Sequence, residues 1–513
     1  MFFKTFCAAV IGVEAKIVRI EADVNAGLPV FQMVGYLNSE VKEAKERVRS
    51  SIKNIGLSFP PKRITVNLSP ADFRKEGTSY DLGVAVALLG AFGCLDFDAS
   101  SECILVGELS LDGRINGVAG VLPIVMAARE NGFRYCIVPK ANIKEAAIVE
   151  GIKSIGVESL EEALNIIQEK SYEARAVATE EWNDRNEHIT DKDFSDVSGQ
   201  FMIKRAAMIA VAGNHNMLMQ GASGAGKTMI AERIPGIMPS LTREESLEVI
   251  RINSICGVMD KAGGYIYDRP FRAPHHSISP TGLIGGGAVP KAGEISLAHK
   301  GVLFLDELTE FKRSTLELLR IPLENKKIIH TRNNGSVEFP CDFTLIAAMN
   351  PCPCGNYPNK LKCTCSPMQI KRYLGRLSTP LLDRIDIITQ VKEVEYSLIT
   401  GVDQKDVETS YDMRKKIEKV VSIQHDRFKD ENILYNSSMD GRMIKKYCVL
   451  DKESRQYIEK IYNDNSMSAR GYYKVLKVAR TIADFAGKER IDLEDIEEAV
   501  MYRCIDRNVY GER

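Results

Sequence analysis

From Met1 to about residue 168, short runs rich in β-branched residues alternate with helical stretches. Residues 16–20, 63–67 and 135–138 are short β-rich runs, so all three predict strands. Residues 39–55 and 123–131 carry helical spacing. This mixture predicts a compact α/β domain over residues 1–168. Periodicity fades in the polar, charged stretch 169–196, which predicts a linker. A second α/β region follows over residues 197–391, with apolar strand candidates at 216–220, 302–305 and 343–348. From residue 392 to 513 β-rich runs disappear. Tyr472, Val475, Leu476, Ala479, Ile482, Ala483 and Ala486 recur there on one helix face, predicting a helical C-terminal domain.

The 513-residue length suits two or three cores. Lys plus Arg total 68 against 69 Asp plus Glu, a net charge of −1, so no global field draws the chain toward nucleic acid or anionic membrane. Any such surface must be local. The N-terminus lacks the apolar core and cleavage site of a signal peptide, and no run reaches the roughly 18 apolar residues of a spanning helix. A cytoplasmic protein that does not engage membranes is expected.

Chemistry concentrates in the middle region. Gly221-Ala222-Ser223-Gly224-Ala225-Gly226-Lys227-Thr228 follows a strand candidate and opens a helix candidate, the context in which a glycine-rich loop wraps phosphates with its N–H groups. Lys227 is expected to reach the β and γ phosphates of ATP, and Thr228 to help hold Mg²⁺. The strand candidate 302–305 ends in Asp306 and Glu307, where Asp306 would order the Mg²⁺ water shell and Glu307 would polarise the attacking water. Asn350 ends a third apolar run, placed either to orient water against the γ-phosphate or simply to start a turn before Pro351.

Twelve cysteines are many for a chain of this kind. Eight are scattered singly and read as small buried hydrophobes. Cys352, Cys354, Cys363 and Cys365 crowd one loop as two C-x-C pairs, enough thiolates for a tetrahedral Zn²⁺. A reduced packed loop and a redox-sensitive pair are the other two readings.

The chain resembles, over essentially its whole length, the magnesium-chelatase-like AAA+ proteins of the YifB/ComM type. The residues that carry the likeness are 269–276, 293–299, 301–308, 350–355 and 381–386, with 59–72 and 468–470 extending it to both ends. Ser223 departs from many relatives, which carry Pro there. The resemblance implies a Lon-protease-like α+β N-terminal domain, an AAA+ core, a C-terminal helical lid, and a ring, a hexamer, with ATP at subunit interfaces. It gives Asn350 the sensor-1 role, Arg384 that of an arginine finger reaching a neighbour's γ-phosphate, and Arg470 the sensor-2 role. A hairpin over residues 328–339 and an insert over 281–289 match loops that grip DNA in related motors, and Lys326, Lys327 and Arg332 would make the hairpin basic. The Lon-like domain is expected to lack protease chemistry, because Asp81 and Leu122 stand at the nucleophile and lysine positions. Together these imply a DNA motor, specifically a branch-migration helicase in recombination and natural transformation. The alternative is a chelatase-type remodelling subunit that drives Mg²⁺ into a porphyrin. His275 and His276 admit two readings, pore-loop lining or ordinary packing and hydrogen bonding.

Overall fold

The computed structural model describes residues 1–183, 191–259, 264–287, 290–332, 335–359, 361–392, 408–464 and 467–503. In the N-terminal part, Phe2–Ile11, Glu14–Asn25, Arg63–Ser69 and Val30–Val34 form one sheet in that order. The first two pairings are antiparallel and the last parallel. Alternation fixes the register: Val18, Ile20, Ala22 and Val24 turn inward along Glu14–Asn25 while the residues between them stay more exposed. The helix Asp81–Ala91, apolar on every side, lies wholly buried against this sheet. A second, parallel sheet joins Cys103–Leu105, Tyr135–Pro139 and Lys153–Val157. The expected helices appear as Ser39–Asn54, capped by the Asn38 side chain, and Val121–Glu130.

The polar stretch after residue 168 is more ordered than its composition suggests. Tyr172–Arg175 is a helical turn whose Tyr172 stacks on Tyr135 at 4.8 Å, and Trp182 packs against Tyr265 and Tyr267. Residues 184–190 lie outside the described residues.

Asp81 begins its helix with the carboxylate 1% exposed, held by both Arg47 Nε (2.7 Å) and Nη2 (2.9 Å) and by the Leu109 N–H. Burial pushes the Asp81 carboxyl up, and Arg47 offsets part of that rise. Leu122 is fully buried, with its N–H on Glu145. An ion pair and a core leucine thus occupy the two positions. Arg47→Ala leaves the Asp81 charge buried and unpaired and is expected to cost about 3–5 kcal/mol, read from chemical unfolding.

The central sheet has five strands in the order Phe271–Arg272, Val302–Leu305, Thr344–Met349, Met217–Gly221, Ile387–Val391, all parallel. Its strands are nearly continuous apolar runs because the sheet is covered on both faces. Beyond it the chain is helical: Ser410–Arg427, Gly441–Tyr447, Lys452–Asp464, Ala469–Phe485 and Leu493–Met501. Ala469–Phe485 buries Val475, Leu476, Ala479, Ile482 and Ala483, and Ser468 caps it. Ala486 ends the helix exposed rather than joining the buried face.

Lys474 of that helix donates to Asp386 at 2.5 Å, and Asp386 also accepts from the Asn216 N–H, so the helices are tied to the base of the Met217–Gly221 strand. Next to this pair His215 is fully buried, with Nε2 on Thr481 Oγ1 at 2.9 Å. Burial lowers its pKa to about 4; Asp386 opposes the shift, and Lys474 and Lys477 add to it. The neutral ring is therefore favoured in the fold, so its contribution to stability is complete above about pH 6.5 and is lost as pH falls toward 4. A loss of about 3 kcal/mol across that window is expected in denaturant titrations. His215→Gln should flatten it; an unchanged slope would count against the assignment.

Candidate functional site

In a parallel sheet every strand ends at the same edge, and the crevice outside the carboxyl ends is where the fold gathers functional groups. Gly221 ends one of three adjacent strands, Asp306 and Asn350 directly follow the other two, and all three residues lie at that edge. Gly224 and Gly226 take φ of +80° and +88°, conformations that favour glycine, and a side chain at Gly221 would strike the Val391 carbonyl at 2.6 Å. The loop then opens directly into the helix Lys227–Ala231.

Lys227 Nζ donates to the carbonyls of Gly221 and Ala222, both at 2.8 Å, and to Asn350 Oδ1 at 3.0 Å. Burial lowers the Lys227 pKa, and Asp306 and Glu307 offset part of the shift. Thr228 Oγ1 donates to Asp306 Oδ2 at 2.7 Å. Glu307 adopts φ +50°, unusual for a residue with a side chain, and leaves its carboxylate 58% exposed. Lys227, Thr228, Asp306 and Asn350 are thus linked by hydrogen bonds, and Glu307 adjoins them.

Arg384 and Arg470 are not part of this cluster. Both line a separate cleft of about 460 Å³ that also includes Asn214, Asn216 and Phe343, residues that precede the strands. Arg384 is held by Glu324 at 2.6 Å and by the carbonyls of Arg320 and Pro380; Arg470 is exposed.

Several contacts had no signature in the sequence. His276 Nδ1 lies 3.5 Å from Glu307 Oε2, its ring 4.0 Å from that of His275, which bonds Ser277. His276 therefore touches a residue of the expected active site, and no spacing rule connects the two positions. Arg372 and Arg376 line a cavity of about 490 Å³ with Glu307 and Asn350.

The hairpin forms as Lys327–Arg332 and Gly335–Pro340, with Gly335 already paired to Arg332. Two of the expected cations are paired, Lys327 with Glu338 at 3.1 Å and Lys326 with Asp342 at 3.0 Å. The Arg332 side chain and residues 333–334 lie outside the described residues. The insert begins as the short helix Pro280–Ile284, and His330 of the hairpin bonds the Ile284 carbonyl at 3.1 Å. Residues 288–289 of the insert are not among the described residues.

The four clustered cysteines converge. Sγ separations are 3.4 Å for Cys352–Cys354, 3.8 Å for Cys352–Cys363 and 3.6 Å for Cys354–Cys363, and Cys365 Sγ lies within 4.8 Å of the others. These are non-bonded distances. Four thiolates at about 2.3 Å from a zinc ion would stand about 3.8 Å apart, so the cluster could hold a tetrahedral metal ion. Of the eight scattered cysteines, Cys7, Cys103, Cys136, Cys341 and Cys448 are buried as expected. Cys94 is exposed and Cys256 half-buried, contrary to that expectation, and Cys504 lies outside the described residues.

Among the described residues no helix is long and apolar enough to cross a membrane. Residues 193–399 match the family model described as Magnesium chelatase, subunit ChlI; residues 20–142 match Subunit ChlI of Mg-chelatase, and residues 407–503 match Magnesium chelatase, subunit ChlI C-terminal. The chain is 40% identical over 506 residues to the Competence protein ComM of Haemophilus influenzae, covering 98% of this chain and 97% of that one. It is 40% identical over 499 residues to YifB of Escherichia coli, covering 97% and 96%. A local likeness, 28% identity over 145 residues, covers 27% of this chain and 18% of the peroxisomal Lon protease homolog 2 of Caenorhabditis elegans. With whole-chain identity of this level, the protein belongs to the magnesium-chelatase-like family that includes ComM and YifB.

Proposed function

We propose that this chain is an ATP-hydrolysing motor of the AAA+ type that forms a ring, a hexamer, in the cytoplasm and acts on DNA as a branch-migration helicase. The observation that carries the reading is a division of the site. Lys227, Thr228, Asp306, Glu307 and Asn350 gather at one sheet edge, while Arg384 and Arg470 share a different cleft. One protomer would supply the phosphate loop, the Mg²⁺ ligands Thr228 and Asp306, the base Glu307 and the water-orienting Asn350. The next would supply the arginines that stabilise charge developing on the γ-phosphate. Bound Mg²⁺ would neutralise the β and γ oxygens.

In this reading residues 1–168 are a Lon-like domain without protease chemistry, 169–196 a linker, 197–391 the motor core and 392–513 the lid. The four cysteines hold a structural Zn²⁺. The likeness to the Competence protein ComM of Haemophilus influenzae supports a tie to competence. The hairpin and insert, which touch through His330, are the surface assigned to DNA, although their lysines are already partly paired.

ATP turnover measured with and without forked, branched and single-stranded DNA tests the proposal. Stimulation by branched or single-stranded DNA is expected to exceed about threefold and to fade with salt, as phosphate contacts do. Turnover indifferent to every DNA form would end the helicase reading and return weight to the chelatase-type alternative.

A further inference from the structure

The four-cysteine loop is built into the nucleotide site. Cys352 follows Asn350 with only Pro351 between them, and Asn350 Oδ1 accepts from Lys227 Nζ. A few residues on, Gly355 passes beside the phosphate loop, where a Cβ at that position would come into ordinary contact with the Ser223 nitrogen at 3.5 Å. Gly355 and Tyr357 line a cavity of about 490 Å³ together with Gly221 and Ala222. The Tyr357 N–H points at Cys352 Sγ at 3.4 Å, so the wall of that cavity is hung on one of the sulfurs.

We infer that a zinc-class ion held by Cys352, Cys354, Cys363 and Cys365 sets the nucleotide affinity of the adjoining loop, making the cluster a metal-dependent control on ATP binding rather than a remote staple. The physical reason is the shortness of the connections. A tetrathiolate ion would draw four sulfurs into one geometry and fix the backbone that carries them. That backbone includes the segment running to Asn350 and the segment at Gly355 that lies beside Ser223. Without the ion only weak sulfur hydrogen bonds hold the thiols together, and the packing of this segment against the phosphate loop loosens. No ligand of the ion needs to touch nucleotide.

This rests on the nucleotide-site reading, and the test separates the two. Zinc per protomer is measured on the full chain after thiol modification, and the affinity for a fluorescent ADP is titrated with Mg²⁺ present throughout. The arms are loaded protein, chelator-stripped protein, stripped protein resupplied with Zn²⁺, the Cys363→Ser/Cys365→Ser variant, and Cys365→His, which keeps four ligands. About one zinc is expected in loaded protein and in Cys365→His. ADP binding should weaken about tenfold in the stripped and double-serine arms and return on resupply, within the usual range for coupled sites.

Loaded and stripped proteins binding ADP equally would overturn the inference while leaving the ATPase reading intact. Protein that takes up no zinc on reconstitution would overturn it as well. If loaded protein hydrolyses no ATP and binds no ADP, the nucleotide-site reading falls and takes this inference with it. Should the double variant fail to fold, the chelator and Cys365→His arms decide.

Discussion

ATP hydrolysis is expected to fall at least ~100-fold when Lys227 is replaced by Ala, the scale associated with removing one preorganised charge donor from a reacting phosphate. The side chain makes three hydrogen bonds, two to its own loop carbonyls and one to Asn350. Those partners hold the ammonium at the loop, and an arriving phosphate would compete for it with a full negative charge. None of the three is a core contact, so the variant should remain folded. Glu307→Gln provides the complement: it keeps the loop and its cation, so nucleotide binding should persist while turnover drops ~10²–10⁴-fold. Thermal melting with and without ADP, run beside steady-state ATPase assays, distinguishes the two. A Lys227→Ala enzyme with the parent rate would remove the nucleotide site from this loop.

The second large effect is expected at Arg384. If it reaches a neighbour's γ-phosphate, Arg384→Ala should cost about 10³–10⁵ in turnover, the worth of an arginine supplied in trans. Its own protomer offers it Glu324 at 2.6 Å, a carboxylate 52% exposed, and the Arg320 and Pro380 carbonyls, so the stability of Arg384→Ala is measured beside its turnover to separate the two losses. Mixing Arg384→Ala protomers with Lys227→Ala protomers is the discriminating experiment. Each variant alone should be inactive. In a mixed ring, a phosphate loop from the first and an arginine from the second make intact sites, so activity should reappear. Persistent inactivity on mixing would place Arg384 outside the shared site.

Much of the site was legible because its constraints are local. A backbone that must take positive φ at Gly224 and Gly226 calls for glycine, and the cation expected to meet a wrapped anion follows at once as Lys227. Asp306 and Asn350 could be read because each ends an apolar run, and strand ends in parallel sheets open on the same crevice. The pairing of Asp81 with Arg47 was not legible. Asp81 is visible in the sequence, but the guanidinium that pairs with it comes from a different helix. The hairpin's lysines misled for a related reason: spacing shows positive charge, whereas Glu338 and Asp342 cancel part of it only across the folded strands.

By itself, then, the sequence determined the kinds of element, the glycine-rich loop, the pair of acids and the four thiols of one loop. These are properties of neighbours along the chain, where bond geometry and side-chain periodicity leave few choices. The tertiary structure alone decided that Lys227 meets Asn350, that His276 faces Glu307 and that Arg384 and Arg470 share a cleft away from the loop. It also set the four-cysteine loop against the phosphate loop. Such meetings depend on strand order and on packing between distant segments. Apolar strands buried on both faces carry no mark of which neighbour they will take, because burial rewards any of them alike.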